Sequence, residues 1–338
     1  MTPGDIDLSE ESAEDRIIAR YFKPLARDPG AFGLIDDVAI LTPPDGYDLV
    51  LKTDPIICGV HFFAEDSPDA IARKALRVNL SDLAGKGASP AGFLLALAIP
   101  ADIGGDWLQA FARGLGEDAE HYRCPLLGGD TDRTPGPITV SIAVIGTLPH
   151  GKIVRRSGAK VGDHVLVSGT IGDAALGLAL RRDAAAGRRW KLTGDLTEYL
   201  TTRYLLPQPR NALAEAVRLC ASAAMDISDG LAGDLAKLCR ASGVGAEVDV
   251  PHVPLAAAAA AALAAEPALI ETILTGGDDY EILCTVGADA LEPFQRAAAA
   301  AGVPMTSIGR VTGAGKAARF LDASGRLLAF KRPSYSHF

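Results

Sequence analysis

The residues of this 338-residue chain best suited to chemistry are carboxylates set in short, mostly glycine-flanked segments. Six occur: Ile35-Asp36-Asp37, Lys52-Thr53-Asp54, Asn79-Leu80-Ser81-Asp82, Gly128-Gly129-Asp130-Thr131, Met225-Asp226-Ile227-Ser228-Asp229-Gly230 and Gly276-Gly277-Asp278-Asp279. A single Asp beside Gly is ordinarily a turn residue or a helix cap. Several beside apolar, strand-like sequence are harder to explain as caps. Carboxylates brought together repel one another and need a cation to stay ionised. With Thr and Ser hydroxyls they form a hard oxygen donor set, suited to Mg²⁺ rather than Zn²⁺. Because Mg²⁺ shares its shell with waters and phosphate oxygens, the indicated chemistry is that of a Mg²⁺–nucleotide phosphate site. Gly128-Gly129 fits this, since backbone N–H groups can approach a phosphate where no Cβ intervenes. Gly169-Thr170-Ile171-Gly172-Asp173 reads equally well as an anion-binding helix start or as a plain strand-to-helix turn.

Other chemistries lack their signatures. There is no GxxxxGK[ST] loop, no dinucleotide fingerprint, no HExxH and no GxSxG elbow. The six histidines show no paired metal-ligand spacing, and the five cysteines lack CxxC spacing, as expected of reduced thiols in a cytoplasmic protein. With 33 Lys+Arg against 42 Asp+Glu the net charge is −9, which argues against general nucleic-acid binding. The longest uncharged apolar stretch, Ala88–Pro100, is too short for a membrane helix. Met1–Arg16 lacks the basic-then-apolar pattern of a signal peptide, so no membrane association and no export are expected.

The elements that must position these acids alternate between strand and helix. A helix is expected over residues 9–27, capped by Ser9 or Ser12, with an apolar stripe of Ile17, Ile18, Tyr21, Phe22 and Leu25. Strands are expected at Val38–Leu41, Leu49–Thr53, Phe93–Ile99, Pro137–Thr147, His164–Ser168 and Glu281–Val286. Helices are expected at Ala70–Leu83, Trp107–Tyr122, Gly172–Arg181, Ala212–Leu219 and Gly230–Ala241. The alanine run Ala256–Ala262 reads as a surface helix, alanine being the strongest helix former. Glycines and Pro149 between Leu148 and Gly162 mark a boundary, giving domains 1–148 and 149–338 with α/β and α+β layering.

Together the motifs resemble the thiamine-monophosphate kinase family, within the superfamily of aminoimidazole ribonucleotide synthetase and selenophosphate synthetase. The resemblance runs from Asp15–Phe22 to Tyr335–Phe338. It rests on Val78–Ala84, Arg156–Lys160, Asp226–Leu231 and Gly276–Glu281, with Gly59–Phe62 separating this family from its relatives. It implies a two-domain synthetase-superfamily fold and a homodimer formed through a barrel-making sheet of the N-terminal domain, with the active site in the cleft between domains. It implies transfer of phosphate from ATP to thiamine monophosphate, giving thiamine diphosphate, with several Mg²⁺ ions. By the same resemblance Asp37, Thr53, Asp54, Asp82, Asp130, Asp226 and Asp229 are the metal-ligand candidates. Gly129, Asp130, Arg156 and Ser228 are the ATP contacts, and His61, Asp278 and Tyr335 face the thiamine substrate. Asp130, Asp226 and Arg156 are the catalytic candidates.

The physical reading agrees with these roles, since divalent cations align two polyanions and an acceptor phosphate needs no dedicated base. Arg156 is suited to a bidentate phosphate clamp and Tyr335 to a cation–π contact with the thiazolium. Their ordinary alternatives are a surface arginine and a packed terminal aromatic, and for His61 a satisfied, partly buried imidazole. The chain departs from the family at Ile35, where glycine is usual, and at Lys52, where a small hydroxyl residue is common. Two other readings use the same acids. A synthetase relative is disfavoured by the placement of Cys58 in an apolar run and by the absence of cysteine after Cys284. A nucleotide-binding protein without turnover is disfavoured by retention of all the acids, which without metal are a stability cost.

Overall fold

The computed structural model describes residues 13–313, 317–332 and 334; Ser9, Ser12 and Tyr335 lie outside these. The chain forms two compact units. Unit 1 comprises the described residues of Met1–Asp45, Leu51–Leu76 and Pro90–Ile145. Unit 2 comprises Gly46–Val50, Arg77–Ser89 and the described residues of Gly146–Phe338.

Helix α1 (Ala13–Ile17) continues as a π turn over Ile18–Phe22 and a 3₁₀ turn over Lys23–Leu25, where one long helix was expected. Pro24 supplies no N–H to continue the ladder, and the wider turn buries Tyr21 and Phe22. Strand β1 (Tyr47–Ile57), helix α2 (Pro68–Gly85), β2 (Ser89–Ile99), α3 (Gly105–His121), β3 (Leu126–Arg133) and β4 (Thr139–Pro149) follow. The four strands form one sheet in the order β1-β4-β2-β3. The expected strand at Val38–Leu41 does not form. Its one backbone tie in the described structure is Ile40 N–H to the Gly30 carbonyl, 2.9 Å, and Val38 and Ile40 stay exposed without a ladder to join. β2 and β3 are parallel, with Leu95 opposite Gly129 and Ala96 opposite Asp130. A Cβ at Gly129 would overlap the Leu95 carbonyl oxygen, so the close strand pairing itself requires glycine there.

Unit 2 continues with β5 (His164–Ser168), α4 (Asp173–Arg182), α5 (Ala186–Arg189), α6 (Gly194–Leu205), α7 (Ala214–Cys220), β6 (Ala221–Ile227), α8 (Leu231–Ser242), β7 (Gly245–Asp249), α9 (Ala257–Ala265), α10 (Leu269–Thr275), β8 (Glu281–Val286), α11 (Ala288–Ala300), β9 (Met305–Thr312) and β10 (Ala318–Leu321). Its six strands run in the order β10-β7-β9-β5-β8-β6, with only β10 and β7 parallel. Successive residues of a strand face opposite sides, and here both sides are covered. Val165, Val167 and Leu283 enter one core with α4, α8, α9 and α10. Leu166, Ile282 and Cys284 enter a second with α7 and α11. This explains why β5 and β8 read as continuous apolar runs. The alanine run is helical and lies at the surface, as expected, with Ala257, Ala260 and Ala264 exposed, but one of its faces is packed inward. Ala258, Ala259 and Ala262 are buried in the first core, where small side chains let the helix backbone lie close to its neighbours.

Within unit 2, the His150 Nδ1 lies 2.7 Å from Asp48 Oδ1, and Asp48 Oδ2 accepts the Gly151 N–H at 2.9 Å. The hydrogen bond to Asp48 raises the His150 pKa, while the Gly151 N–H and then His150 lower that of Asp48. The His150 contribution is complete below the ordinary imidazole value of about 6.5 and fades as pH rises through the raised value. The Asp48 contribution fades as pH falls through the lowered one. Histidine NMR titration is therefore expected to place the His150 midpoint above about 6.5, returning toward it in Asp48→Asn.

Candidate active site

Unit 1 contains a cavity of about 530 Å³ in which Asp36, Asp37, Gly128, Gly129, Asp130 and Thr131 meet apolar side chains such as Phe22 and Leu127. Two elements bring the polar residues there. β3 is an edge strand, so the outer N–H groups of its glycine segment are not committed to a ladder. The Asp36-Asp37 pair follows a left-handed run at Phe32, Gly33 and Leu34, with φ of 51°, 64° and 55°. Ile35 itself has φ −112° and ψ 0° and is 80% exposed, a conformation that does not need the family's glycine. The Asp37 N–H donates to Asp36 Oδ1 at 2.8 Å, and the Thr131 N–H to Asp130 Oδ1 at 2.9 Å.

Thr53 and Asp54 are not among the residues lining this cavity. They lie on β1, whose alternation turns them to opposite faces, and the Lys52 ammonium lies 3.0 Å from Asp54 Oδ2. His61 occupies a tight loop after β1. Its Nδ1 accepts the Ile57 N–H at 3.0 Å, so the neutral ring carries its proton on Nε2. Lys74 of α2, only 1% exposed, donates its ammonium to the His61 carbonyl at 2.9 Å.

Unit 2 gathers Asp226, Ser228, Asp229 and Asp278. Asp226 is buried at the end of β6, and Gly230, with φ 104°, turns the chain into α8. Asp234 in the first turn of α8 reaches back, its Oδ2 accepting the Ser228 and Asp229 N–H groups at 3.0 and 2.9 Å. Lys237 bridges Asp229 and Asp234. Burial pushes the Asp234 carboxyl up; burial works against the Lys237 charge, but its bonds to the two carboxylates raise it overall. The end of α2 packs on the same place. A Cβ at Gly85 would come within 3.0 Å of the Asp226 nitrogen, the Lys86 ammonium donates to the Ala224 carbonyl at 2.6 Å, and Asn211 Nδ2 donates to the Leu80 carbonyl at 3.1 Å. Asp82 lies on this end of α2, between Leu80 and Gly85 in the chain. Arg156 lies on an exposed loop whose carbonyl accepts from Ser242.

Asp278 and Tyr280 have φ of 73° and 51°, a left-handed backbone rare in non-glycine residues. Their N–H groups donate to the Ser228 and Ile227 carbonyls at 2.9 and 2.8 Å, which lays the Asp278 loop beside the Asp226–Gly230 turn. The strain is held by the residue between them. Asp279, fully buried, accepts the Gly172 N–H at 2.7 Å and the Ala174 N–H at 3.4 Å. The start of α4 is thus already occupied by a carboxyl group from within the chain, which favours the structural-turn reading of Gly169–Asp173. Nearby, Glu281 accepts from Ser168 (2.5 Å), Arg203 (2.9 Å) and Arg210 (2.7 and 2.5 Å). Asp173 accepts from Thr170 at 2.5 Å and Tyr199 at 3.0 Å, with Arg203 Nε at 3.8 Å. Burial pushes the Asp279 carboxyl well up and raises that of Asp173.

Among the described residues no group of three or more His, Cys, Asp or Glu is placed to hold a metal ion unaided. The donors of the unit 1 cavity are nonetheless all oxygens, from Asp36, Asp37, Asp130 and Thr131. Such a set fits Mg²⁺, which binds through one or two carboxylates plus phosphate oxygens rather than in a dedicated protein cage. Asp279 lay within the noted Gly276–Asp279 segment but was given no role of its own; Lys74, Asp234 and Lys237 were missed in the sequence. The signal was available for two of them: Lys74 shares a helix face with Ile71 and Val78, and Asp234 with Leu231, Leu235 and Leu238.

The Arg203→Met substitution leaves Asp173 and Glu281 short of their shared counter-charge. It is expected to lower the unfolding free energy by about 3–5 kcal/mol in urea titration. A loss well under ~1 kcal/mol would show that the buried acids do not depend on it.

Residues 35–148 match the family AIR synthase related protein, N-terminal domain, and residues 160–322 its C-terminal domain. The chain is 44% identical over 308 residues to the thiamine-monophosphate kinase of Caulobacter vibrioides, covering 90% of this chain and 85% of that protein. The crystal structure of thiamine-monophosphate kinase from Stenotrophomonas maltophilia is similar with a TM-score of 0.79 at 36% identity, covering 93% of this chain and 96% of that one. A ThiL structure complexed with AMPPCP and TMP is similar with a TM-score of 0.74 at 31% identity, covering 91% and 97%. On the acid-lined glycine strand, the Asp278 loop and these likenesses over nine-tenths of its length, the chain belongs to the thiamine-monophosphate kinase family.

Proposed function

We propose that this protein phosphorylates thiamine monophosphate with ATP, giving thiamine diphosphate and ADP in thiamine diphosphate synthesis. The observation that carries the reading is the unit 1 cavity, where three carboxylates and a glycine edge strand converge. A phosphate oxygen of the acceptor attacks the γ-phosphorus of ATP. The new P–O bond forms as the bond to the β,γ-bridging oxygen breaks, and ADP keeps that electron pair. The acceptor phosphate, with a second pKa of about 6, is largely ionised near neutral pH, so no side chain need remove a proton.

The Gly128–Gly129 backbone approaches phosphate oxygens, and Asp37 and Asp130 are the carboxylates that would hold Mg²⁺, with Thr53, Asp54, Asp82, Asp226 and Asp229 as further candidates. When bound, Mg²⁺ neutralises phosphate charge and helps align donor and acceptor. Arg156 clamps phosphate oxygens, and Ser228 lies beside Asp229 for the same nucleotide. His61, through Nε2, and Asp278 face the thiamine monophosphate; the charge of Asp278 suits the cationic thiazolium. The five free cysteines suit a cytoplasmic enzyme. Among the described residues no helix is long and apolar enough to cross a membrane.

A homodimer is part of the reading. β1 is the other edge of its sheet and exposes Tyr47, Leu49 and Leu51, the last 73% accessible. An apolar edge of this kind invites pairing with a second copy. Sedimentation velocity is expected to show a dimer for the native chain and a shift toward monomer for Leu51→Lys.

The activity is tested by ADP release with Mg-ATP and thiamine monophosphate, with thiamine as control and product mass determined. Thiamine diphosphate formed only from the monophosphate is expected, and Asp130→Asn is expected to lower kcat/KM by roughly 100-fold or more. Intact turnover in Asp130→Asn would remove this carboxylate from the metal set.

A further inference from the structure

We propose that Ser242 is a positioning residue for nucleotide binding, its hydroxyl fixing the loop that presents Arg156. The Ser242 Oγ accepts the Gly158 N–H at 3.1 Å and the Ala159 N–H at 3.2 Å, and donates to the Arg156 carbonyl at 2.9 Å. A serine hydroxyl has one proton and two lone pairs, so its whole capacity is spent on this loop. The loop is tied on both flanks. Ala224 N–H donates to the Arg155 carbonyl at 3.0 Å, and Lys160 N–H to Asp163 Oδ2 at 2.9 Å. Gly158 has φ 152°, and a Cβ there would overlap the Ser222 carbonyl, so the backbone has little room to slide. Against this fixed backbone the Arg156 residue itself stays exposed.

Ser242 is the last residue of α8, whose first turn holds Ser228 and Asp229 through Asp234. One helix of 12 residues, ~18 Å long at ~1.5 Å per residue, therefore carries both nucleotide-binding segments of unit 2 at its ends. A guanidinium held on an ordered backbone loses less freedom when it closes on phosphate oxygens. The ligand class is the phosphate chain of a nucleoside triphosphate, and the inference rests on Arg156 being a nucleotide contact, as read above.

The test compares Ser242→Ala, Ser242→Thr and Arg156→Ala with the native enzyme. Steady-state kinetics are run in both substrates, alongside limited trypsin digestion, for which Arg155, Arg156 and Lys160 are exposed sites. Ser242→Ala is expected to raise KM for ATP about 5–10-fold, the loss of one to two hydrogen bonds. It should leave kcat and KM for thiamine monophosphate within about twofold and speed cleavage at Arg155–Lys160. Ser242→Thr, which keeps the hydroxyl, should restore both readouts. An unchanged KM for ATP in Ser242→Ala beside a raised one in Arg156→Ala overturns the proposal. Unchanged values in both variants also overturn it, and then faster tryptic cleavage in Ser242→Ala would put the fault in the role given to Arg156 rather than in the clamp.

Discussion

Burying like charges in a protein interior demands counter-charges close by, and unit 2 is organised around that demand. Asp173, Asp279 and Glu281 are essentially without solvent contact; Arg203 and Arg210 enter from α6 and the segment after it to meet Glu281, Arg203 also lies beside Asp173, and Asp279 is held by backbone N–H groups. Removing an ion from water costs several kcal/mol, which only good geometry and further hydrogen bonds offset. The Ser168, Thr170 and Tyr199 hydroxyls and the N–H groups opening α4 supply those bonds. A Cβ at Gly169 would overlap the Glu281 carboxylate, so the glycine is there for the acid. The unfavourable backbone at Asp278 and Tyr280 persists because Asp279, between them, is anchored in this network.

Acids in adjacent positions thereby do different work. Asp278 stays half-exposed beside the Asp226–Gly230 turn, while Asp279 is structural. Asp229 and Asp234 divide in the same way: one is a candidate ligand, the other holds the turn that presents it. A site of many carboxylates needs a second population of carboxylates behind it, and sequence motifs list both without distinction.

Much of the scaffold was legible because burial and period leave marks in the sequence. β5 and β8 fall at the expected residues, since both faces are buried and the runs are unbroken. The glycine–acid segments were legible as turns. β6 was not: Ala-Ser-Ala-Ala-Met-Asp-Ile carries a single β-branched residue, and its strand state comes from pairing with β8. The buried face of α9 was hidden for the opposite reason, because alanine favours helix without declaring a face. Val38–Leu41 had the composition of a strand but no neighbour to pair with. At the site, the cavity grouping Asp37 with Asp130 follows from folding over some 90 residues of separation, which no local spacing encodes.

The strand order of unit 2 also governs how the chain is made. β5 lies between β9 and β8, and His164 pairs with Val286, about 120 positions later. At a synthesis rate of ~5–20 residues per second, Val165, Leu166 and Val167 wait about 6–24 s for their first strand partner. Pairing with β9 comes later still. During that interval a strand destined for burial on both faces is an apolar segment without a sheet. The strand order thus sets an interval in synthesis during which that segment has no native strand partner, a constraint fixed by topology before any catalytic residue is in place.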